Sequence, residues 1–190
     1  MVKEQTLVLL KPDTVKRSLA GRIISRFEDI GLKIVAMKMV WATEELAKKH
    51  YVLEENWAKN VFEKNKAACE KEGRKMLYKD HMELGGTVQR WNMEFLREGP
   101  VIAIVLEGPH AVEVVRKMVG HTEPKQSAPG TIRGDFAMIE SYALSDQKKR
   151  VTRSLVHASD SVDNAKREIS LWFKTDELHQ YIKDIDKYID

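Results

Sequence analysis

The stretch TRSLVHASDSVDNAKREISLWF (152–173) contains two apolar residues, a histidine, a cluster of small polar residues and an amphipathic segment. Apolar residues recur at helical spacing in the second half, which predicts a helix over 161–173. The residues just before it, 154–158, predict a short strand. His157 therefore lies where a strand gives way to a helix, beside small polar residues that favour helix capping and anion binding.

Outward from this stretch, strands and helices alternate along the chain. Strands are predicted over 6–10, 32–41 and 101–108, and helices over 16–30, 43–51 and 110–120, with a loop over 121–135. This order predicts an α+β fold, a ferredoxin-like βαββαβ antiparallel sheet with helices on one face.

Two stretches are longer than connections in such a fold require. Residues 57–95 are polar and helix-prone, and residues 137–152 separate the predicted loop from the last strand. We interpret both as insertions into one domain that spans residues 1–190. A chain of 190 residues that is 43% hydrophobic can bury a substantial core.

Composition narrows the function classes. The net charge is +3, and positive and negative residues are interleaved along the sequence. It has neither a basic tail nor a basic-aromatic patch, so nucleic-acid binding is not expected. The single cysteine, Cys69, excludes an internal disulfide and suits a reducing cytoplasm. The apolar run 6–10 is too short for a signal peptide or a membrane span.

Glu168 lies on or beside the apolar stripe of the last predicted helix and needs a partner, because an unpaired buried carboxylate is costly. His157 can supply it. A carboxylate bonded to one ring nitrogen leaves the other free as a nucleophile or base. The plainer alternative remains open: His157 is a satisfied core histidine, and Glu168 is a rim residue with a lysine partner.

A second clue is the segment HTEPKQSAPGTIRGDF (121–136), where Thr122 and Arg133 lie among prolines and glycines. A stiffened loop with a guanidinium suits phosphate binding, although it fits an ordinary surface loop equally well. Lys11 ends the first strand and either points into a site there or is solvated. No Walker A pattern occurs, so separate side chains would have to hold any nucleotide phosphates.

Together these pieces resemble the nucleoside diphosphate kinase family. The resemblance rests on LLKPD (9–13), HY (50–51), GP (99–100), PGTIRGDF (129–136) and HASDS (157–161), followed by Glu168 and LWF (171–173). The order and spacing of the motifs agree with that family. The resemblance implies transfer of the terminal phosphate of a nucleoside triphosphate to a nucleoside diphosphate, by a ping-pong mechanism through a phosphohistidine.

The resemblance also implies residue roles. His157 would accept the phosphate, and Glu168 would orient its ring. The residues implied to contact phosphates or line their site are Lys11, Tyr51, Arg116, Thr122 and Arg133. Asp160 would reach a nucleotide-bound Mg²⁺ through water, and the chain would form a homo-oligomer, a hexamer or a tetramer.

The chain departs from the family pattern at two places. Ser154 stands where the family has an asparagine that contacts ribose hydroxyls, so this contact is weaker, rebuilt through water or supplied by another residue. The first insertion falls where the family places the aromatic residue that stacks on the base. Trp57 and Phe62 are the candidates there, and either could instead belong to the core.

Three functions remain to be separated. The leading one is an active kinase. The second is a binding module that keeps the fold without activity, which the intact set of Lys11, Arg116, Arg133, His157 and Glu168 argues against. The third, nucleic-acid binding, rests only on the pI near 8.8.

Overall fold

The computed structural model describes residues 3–184 and residue 186. In chain order, its elements are β1 (Lys3–Leu10), α1 (Pro12–Lys16), α2 (Ala20–Asp29), β2 (Lys33–Val40), α3 (Glu44–His50), α4 (Glu55–Lys71), α5 (His81–Leu96), β3 (Val101–Pro109), α6 (Ala111–Val119), a 3₁₀ turn (Pro124–Gln126), α7 (Ile132–Phe136), α8 (Tyr142–Lys148), β4 (Val156–Ala158), α9 (Val162–Trp172) and a last 3₁₀ turn (Thr175–Glu177). None of the described helices is long and apolar enough to cross a membrane.

The four strands form one antiparallel sheet in the order β2-β3-β1-β4. This confirms the predicted ferredoxin-like α+β fold. In the β1–β4 register, Leu9 lies opposite His157 and Leu10 opposite Val156. The end of β1 is therefore placed beside the start of β4, and Lys11 follows directly at that edge of the sheet.

Helices cover both faces of the sheet, and the prediction of helices on one face was wrong. Successive residues of β1 are fully buried on opposite sides: Val8 and Leu10 pack in one cluster with Phe27 of α2, whereas Leu9 packs in another with Trp172 of α9. A strand that is buried on both faces shows a continuous apolar run instead of alternation. The TLVLL run of β1 has this pattern.

The predicted insertions form helices. Residues 57–95 include most of α4 and α5, and residues 137–152 contain α8. The close approach of α4 and α5 needs a glycine, because a Cβ on Gly85 would lie 2.7 Å from Ala58 Cβ. At the N-terminus of α5, the Asp80 side chain accepts hydrogen bonds from the backbone N–H groups of Met82 and Glu83.

A predicted helix and a predicted loop differ from the structure. The helix predicted over 16–30 begins later, at Ala20, because Ser18 adopts a left-handed conformation with φ 55° that separates α2 from the short helix α1. The loop predicted over 121–135 contains a 3₁₀ turn and the start of α7, which Thr131 caps by accepting from Gly134 N. Gly31, with φ 85°, follows α2 as expected for a residue that ends a helix.

Candidate active site

The site begins at a strained turn before β4. Leu155 is fully buried and has φ 63°, and Val156 N donates to Ser154 O at 2.6 Å across it. A non-glycine residue held there costs on the order of 1–3 kcal/mol and needs support from its surroundings. Asp13 Oδ2 accepts from Leu155 N at 3.1 Å, and Thr14 Oγ1 donates to Leu155 O at 2.7 Å. The turn explains why β4 begins at Val156 and not at residue 154.

His157 and Glu168 are directly paired. His157 Nε2 lies 2.9 Å from Glu168 Oε2, which also accepts from Ser159 Oγ at 2.6 Å. Burial alone would raise the pKa of Glu168, but the charge and hydrogen bond of His157 lower it to about 2. Since Glu168 stays ionised and accepts from Nε2–H, the free ring nitrogen of His157 is Nδ1.

A second histidine packs against His157. The His50 ring centroid lies 4.5 Å from that of His157 in an edge-to-face arrangement. Trp172 Nε1 donates to His50 Nδ1 at 3.3 Å, and an indole N–H can only donate, so the proton of neutral His50 lies on Nε2. Burial, and then the proximity of His157, holds the pKa of His50 well below its usual range. The described residues therefore place a neutral ring, not a cation, at this side of His157.

Lys11 lies at the end of β1 with its ammonium group beside Ser154. Lys11 Nζ donates to Ser154 Oγ at 3.1 Å, and the Lys11 backbone N–H donates to Leu155 O at 2.8 Å. Burial, followed by the charge of Arg133, lowers the pKa of Lys11 to about 8. The side chain is buried yet lines the cavity that also contains His157.

Arg133 holds the neighbouring segments together. It donates from Nε to Ser154 O at 3.0 Å, from Nη1 to Gly120 O at 2.8 Å and from Nη2 to Val156 O at 2.7 Å. A guanidinium has five N–H donors, so these bonds leave others for an anion. Burial lowers the pKa of Arg133 to about 10, which leaves it charged at neutral pH.

The remaining sequence-predicted residues lie around the same cavity. It has a volume of about 540 Å³, and the residues of this set that line it are Lys11, Tyr51, Arg116, Thr122, Arg133, Ser154, His157, Asp160 and Glu168. The Tyr51 ring centroid lies 6.5 Å from that of His157. The structure thus brings together the nine residues to which the sequence assigned a role in the site, although they come from seven separate parts of the chain.

Helices α4, α5 and α8 line the same cavity, and we call these three helices the roof. Trp57 and Val61 of α4, Val88 and Trp91 of α5 and Ser145 of α8 are among the lining residues. Of the two aromatic candidates for stacking on a base, Trp57 lines the cavity. Phe62 is partly buried and is not among the residues that line it.

Metal binding has two candidate places. His50, His157 and Glu168 offer ligand atoms within 4.8 Å of one another. One nitrogen of each ring is already hydrogen-bonded there, so a metal would have to bind the other ring nitrogen of each histidine or displace these bonds. Asp160 is an exposed carboxylate that lines the cavity at the start of α9, where Oδ1 accepts from Asn164 Nδ2 at 2.6 Å.

Sequence comparison identifies the family. The family model described as nucleoside diphosphate kinase matches residues 4–73 and 64–178. The chain belongs to the nucleoside diphosphate kinase family. Its members are phosphotransferases. A nucleoside diphosphate kinase from Pyrobaculum aerophilum is 44% identical over 182 residues, which cover 94% of this chain and 99% of the relative. One from Borreliella burgdorferi is 39% identical over 186 residues, covering 97% and 95%.

Solved structures of two such kinases are also similar. The crystal structure of the Pyrobaculum aerophilum kinase matches with a TM-score of 0.88 and 42% identity, covering 94% of this chain and 100% of that chain. A transition-state mimic of the Borrelia burgdorferi kinase, with bound vanadate and ADP, matches with a TM-score of 0.81 and 36% identity, covering 100% and 98%.

Sequence reasoning missed several residues that shape this kinase site. Ser159 was interpreted only as part of a helix start, yet it donates to Glu168. The period of two along a strand could have found it, since Ser159 follows β4 directly and lies two residues after His157. Asp13 and Thr14 could not be assigned to Leu155, because the contacts join positions more than 140 residues apart.

Proposed function

We propose that this kinase transfers the γ-phosphate of a nucleoside triphosphate to a nucleoside diphosphate by a ping-pong mechanism through a phosphohistidine at His157. The observation that supports this most strongly is the 2.9 Å contact between His157 Nε2 and Glu168. It occupies one ring nitrogen and leaves Nδ1 as a nucleophile in a cavity lined by Lys11, Arg116 and Arg133.

The proposed reaction has two balanced steps. In the first, the Nδ1 lone pair attacks the γ-phosphorus, the bond from phosphorus to the β-phosphate oxygen breaks, and the diphosphate leaves with the electron pair. Glu168 stabilises the ring as it gains positive character. In the second step, a terminal oxygen of the acceptor diphosphate attacks the same phosphorus, and the phosphorus–nitrogen bond breaks.

Binding the phosphates is the proposed role of the cationic and polar lining. Phosphoryl transfer requires charge stabilisation and positioning more than covalent chemistry. Lys11, Arg116 and Arg133 supply positive charge, and Thr122 and Tyr51 supply hydroxyl groups in the same cavity. Ser154 addresses the sugar or acts through Lys11, with which it is hydrogen-bonded.

Asp160 is the proposed link to Mg²⁺. The ion usually keeps several waters and binds through one or two carboxylates together with substrate phosphates. An exposed carboxylate that lines the cavity fits this donor set. Bound with the nucleotide, Mg²⁺ would supply positive charge to the phosphates, while Asp160 would hold its water shell.

Stacking, assembly and location complete the proposal. Trp57 stacks on the base, since it lines the cavity from the roof. The single domain assembles as a homo-oligomer, a hexamer or tetramer. This is supported by the edge strand β2 with its exposed Met37 and Met39, and by the exposed Trp41 directly after it. The lone Cys69 suits a reducing cytoplasm.

Labelling tests the mechanism directly. Incubation with γ-labelled ATP and Mg²⁺ should leave a phosphoryl group on His157 that is acid-labile and base-stable, and a second diphosphate should remove it. His157→Ala should abolish the label. His179→Ala is the matched control, because His179 is exposed and outside the cavity lining, and it should label normally.

Two results would overturn the mechanism: an acid-stable label, or labelling that survives His157→Ala. Transfer between two different nucleotides also separates the kinase from a binding module that keeps the fold. A binding module would bind nucleotides and transfer nothing.

A further inference from the structure

His50 belongs to a motif of which the proposed reaction uses only the second residue. In HY (50–51), Tyr51 supplies a hydroxyl group to the phosphate site, whereas His50 has no role there. His50 is the last residue of α3 and is only 3% exposed. It is therefore a buried titratable side chain that lies beside the reacting histidine and that the mechanism leaves without a task.

Contacts from α9 hold the His50 ring in one orientation. Trp172 Nε1 donates to His50 Nδ1 at 3.3 Å, and the two rings meet edge-to-face with their centroids 5.7 Å apart. The end of α3 is itself tied to α9, because Arg167 Nη1 donates to Lys49 O at 3.2 Å. Since both rings are buried in a close-packed interior, His50 has little room to rotate.

The fixed His50 ring packs directly against His157. The two ring centroids lie 4.5 Å apart and the ring planes meet at 79°, an edge-to-face arrangement. Glu168 Oε2, 2.9 Å from His157 Nε2, holds one atom of the same ring. A single hydrogen bond tolerates a range of angles, so a ring held only there could tilt about it. Contact with a second ring restricts that tilt.

The tautomer of His50 suits this contact. Because the indole N–H of Trp172 can only donate, His50 Nδ1 must accept, and a proton on that nitrogen would break the bond. His50 therefore packs against His157 as a neutral ring. A neutral neighbour does not oppose the positive character that His157 gains during transfer.

We propose that His50 is a positioning residue of the transfer reaction, whose ring holds the imidazole of His157 at the angle that directs Nδ1 toward the γ-phosphorus. The inference rests on the proposed function, and His50 acts through His157. A misplacement of about 1 Å at a reacting centre can cost about a hundredfold in rate. Because Glu168 would still hold Nε2, loss of the His50 ring should cost less, about tenfold.

The plainer role for His50 is only to accept the buried N–H of Trp172, and His50→Gln separates the two roles. It removes the ring but keeps an acceptor for Trp172. In single-turnover reactions with γ-labelled ATP, phosphorylation of His157 should slow about tenfold, while the calorimetric affinity for ADP stays unchanged. His179→Gln is the matched control, because it makes the same change at an exposed histidine outside the cavity lining, and it should react at the wild-type rate.

Two further variants test the ring itself, and they decide the question if His50→Gln does not fold. Trp172→Phe removes the indole donor and makes room for a larger residue at position 50. In that background, His50→Phe keeps a ring and should retain the rate of Trp172→Phe alone. His50→Leu fills similar space without a ring and should be about tenfold slower. Thermal unfolding checks that the compared variants are equally folded.

Three kinetic outcomes would overturn the inference: a wild-type rate in His50→Gln, equal rates for His50→Phe and His50→Leu in the Trp172→Phe background, or a loss of rate in His50→Gln that is matched by an equal loss of ADP affinity. Nitrogen-15 NMR of the histidine rings keeps the inference separate from the proposed function. The Nε2 proton of His157 should exchange with water faster in His50→Gln than in the wild type, even if no phosphohistidine forms. An unchanged exchange rate would overturn the inference as well.

Discussion

The end of the cavity at His157 and the roof above it are built on different principles. At His157, residues of helices α1 and α9 fix the geometry: Asp13 and Thr14 hold the turn at Leu155, and Glu168 accepts from two neighbours. In the roof, Ser145 Oγ and Asp146 Oδ2 have no hydrogen-bond partner among the described residues. The His157 end is not fully paired either, since His50 Nε2 has no hydrogen-bond partner among the described residues. The difference is that hydrogen bonds fix the reacting residues themselves, which preorganises them for chemistry.

Changing Glu168 should have the largest effect of the changes that leave the nucleophile in place. Glu168→Gln should retain the fold and nucleotide binding but slow phosphorylation of His157 by about a hundredfold. An amide oxygen still accepts from the ring N–H, yet the charge that stabilises the cationic ring is lost. Rapid-quench measurement of phosphohistidine formation gives the rate, and calorimetry gives the affinity.

If the two ends of the cavity act separately, Glu168→Gln should lower the phosphorylation rate equally with guanine and adenine donors, because Glu168 acts at the reacting end. A loss that depends on the base would break the separation between the two ends. An unchanged rate would mean that Glu168 is structural or that another group orients the ring.

Loss of the positive charge of Lys11 should have an intermediate effect on activity, and this effect should depend on pH. Its pKa is lowered to about 8, chiefly by burial, so the free enzyme loses this charge as the pH rises through 8. Since kcat/KM reports the free enzyme, it should fall above pH 8 by up to about tenfold per pH unit. Bound phosphates favour the charged form, so kcat should fall less.

The stability effect of the same group has the opposite sign. Between pH 8 and the ordinary lysine value of 10.5, the folded chain binds fewer protons at Lys11 than the unfolded chain. The contribution of Lys11 to the free energy of unfolding therefore rises with pH in this window. Lys11→Arg stays charged throughout and should remove the decline in kcat/KM. A decline that persists in Lys11→Arg would assign it to another group.

Ser154 should give the smallest change. If this position addresses the ribose, Ser154→Asn should raise kcat/KM for ribonucleotides by no more than about tenfold, the value of one neutral hydrogen bond. The gain should shrink for 3′-deoxyribonucleotides. The position is buried and bonded to Lys11, so the larger side chain must displace that contact. Equal ratios for the two sugars in both variants would show that position 154 does not contact the sugar.

Much of the fold could be predicted because its signals are local. The strands β2 and β3 were predicted within two residues, since period-two or continuous apolar runs mark them directly. The pairing of His157 with Glu168 was one of two open alternatives, because helix spacing placed the carboxylate beside an apolar stripe. The 2.9 Å contact shows the pair, while the catalytic role of both residues stays a prediction.

The rest depends on contacts that no local pattern contains. The sequence does not show which side of β1 each helix packs against, so the placement of helices on both faces could not be predicted. The left-handed conformation of Leu155 depends on contacts with Asp13 and Thr14, which are distant in the sequence. Residues 57–95 show helical propensity but not their partner, so the approach of Tyr78 to Asp146 could not be foreseen.

The shared cavity has a consequence for turnover. In the proposed scheme both nucleotides enter the space that contains His157 and Lys11, one after the other. A diphosphate that arrives before the donor fills that space without reacting and delays the next cycle. The turnover rate then depends on the ratio of triphosphate to diphosphate as well as on their concentrations, and excess diphosphate acts as a competitive inhibitor toward the donor triphosphate.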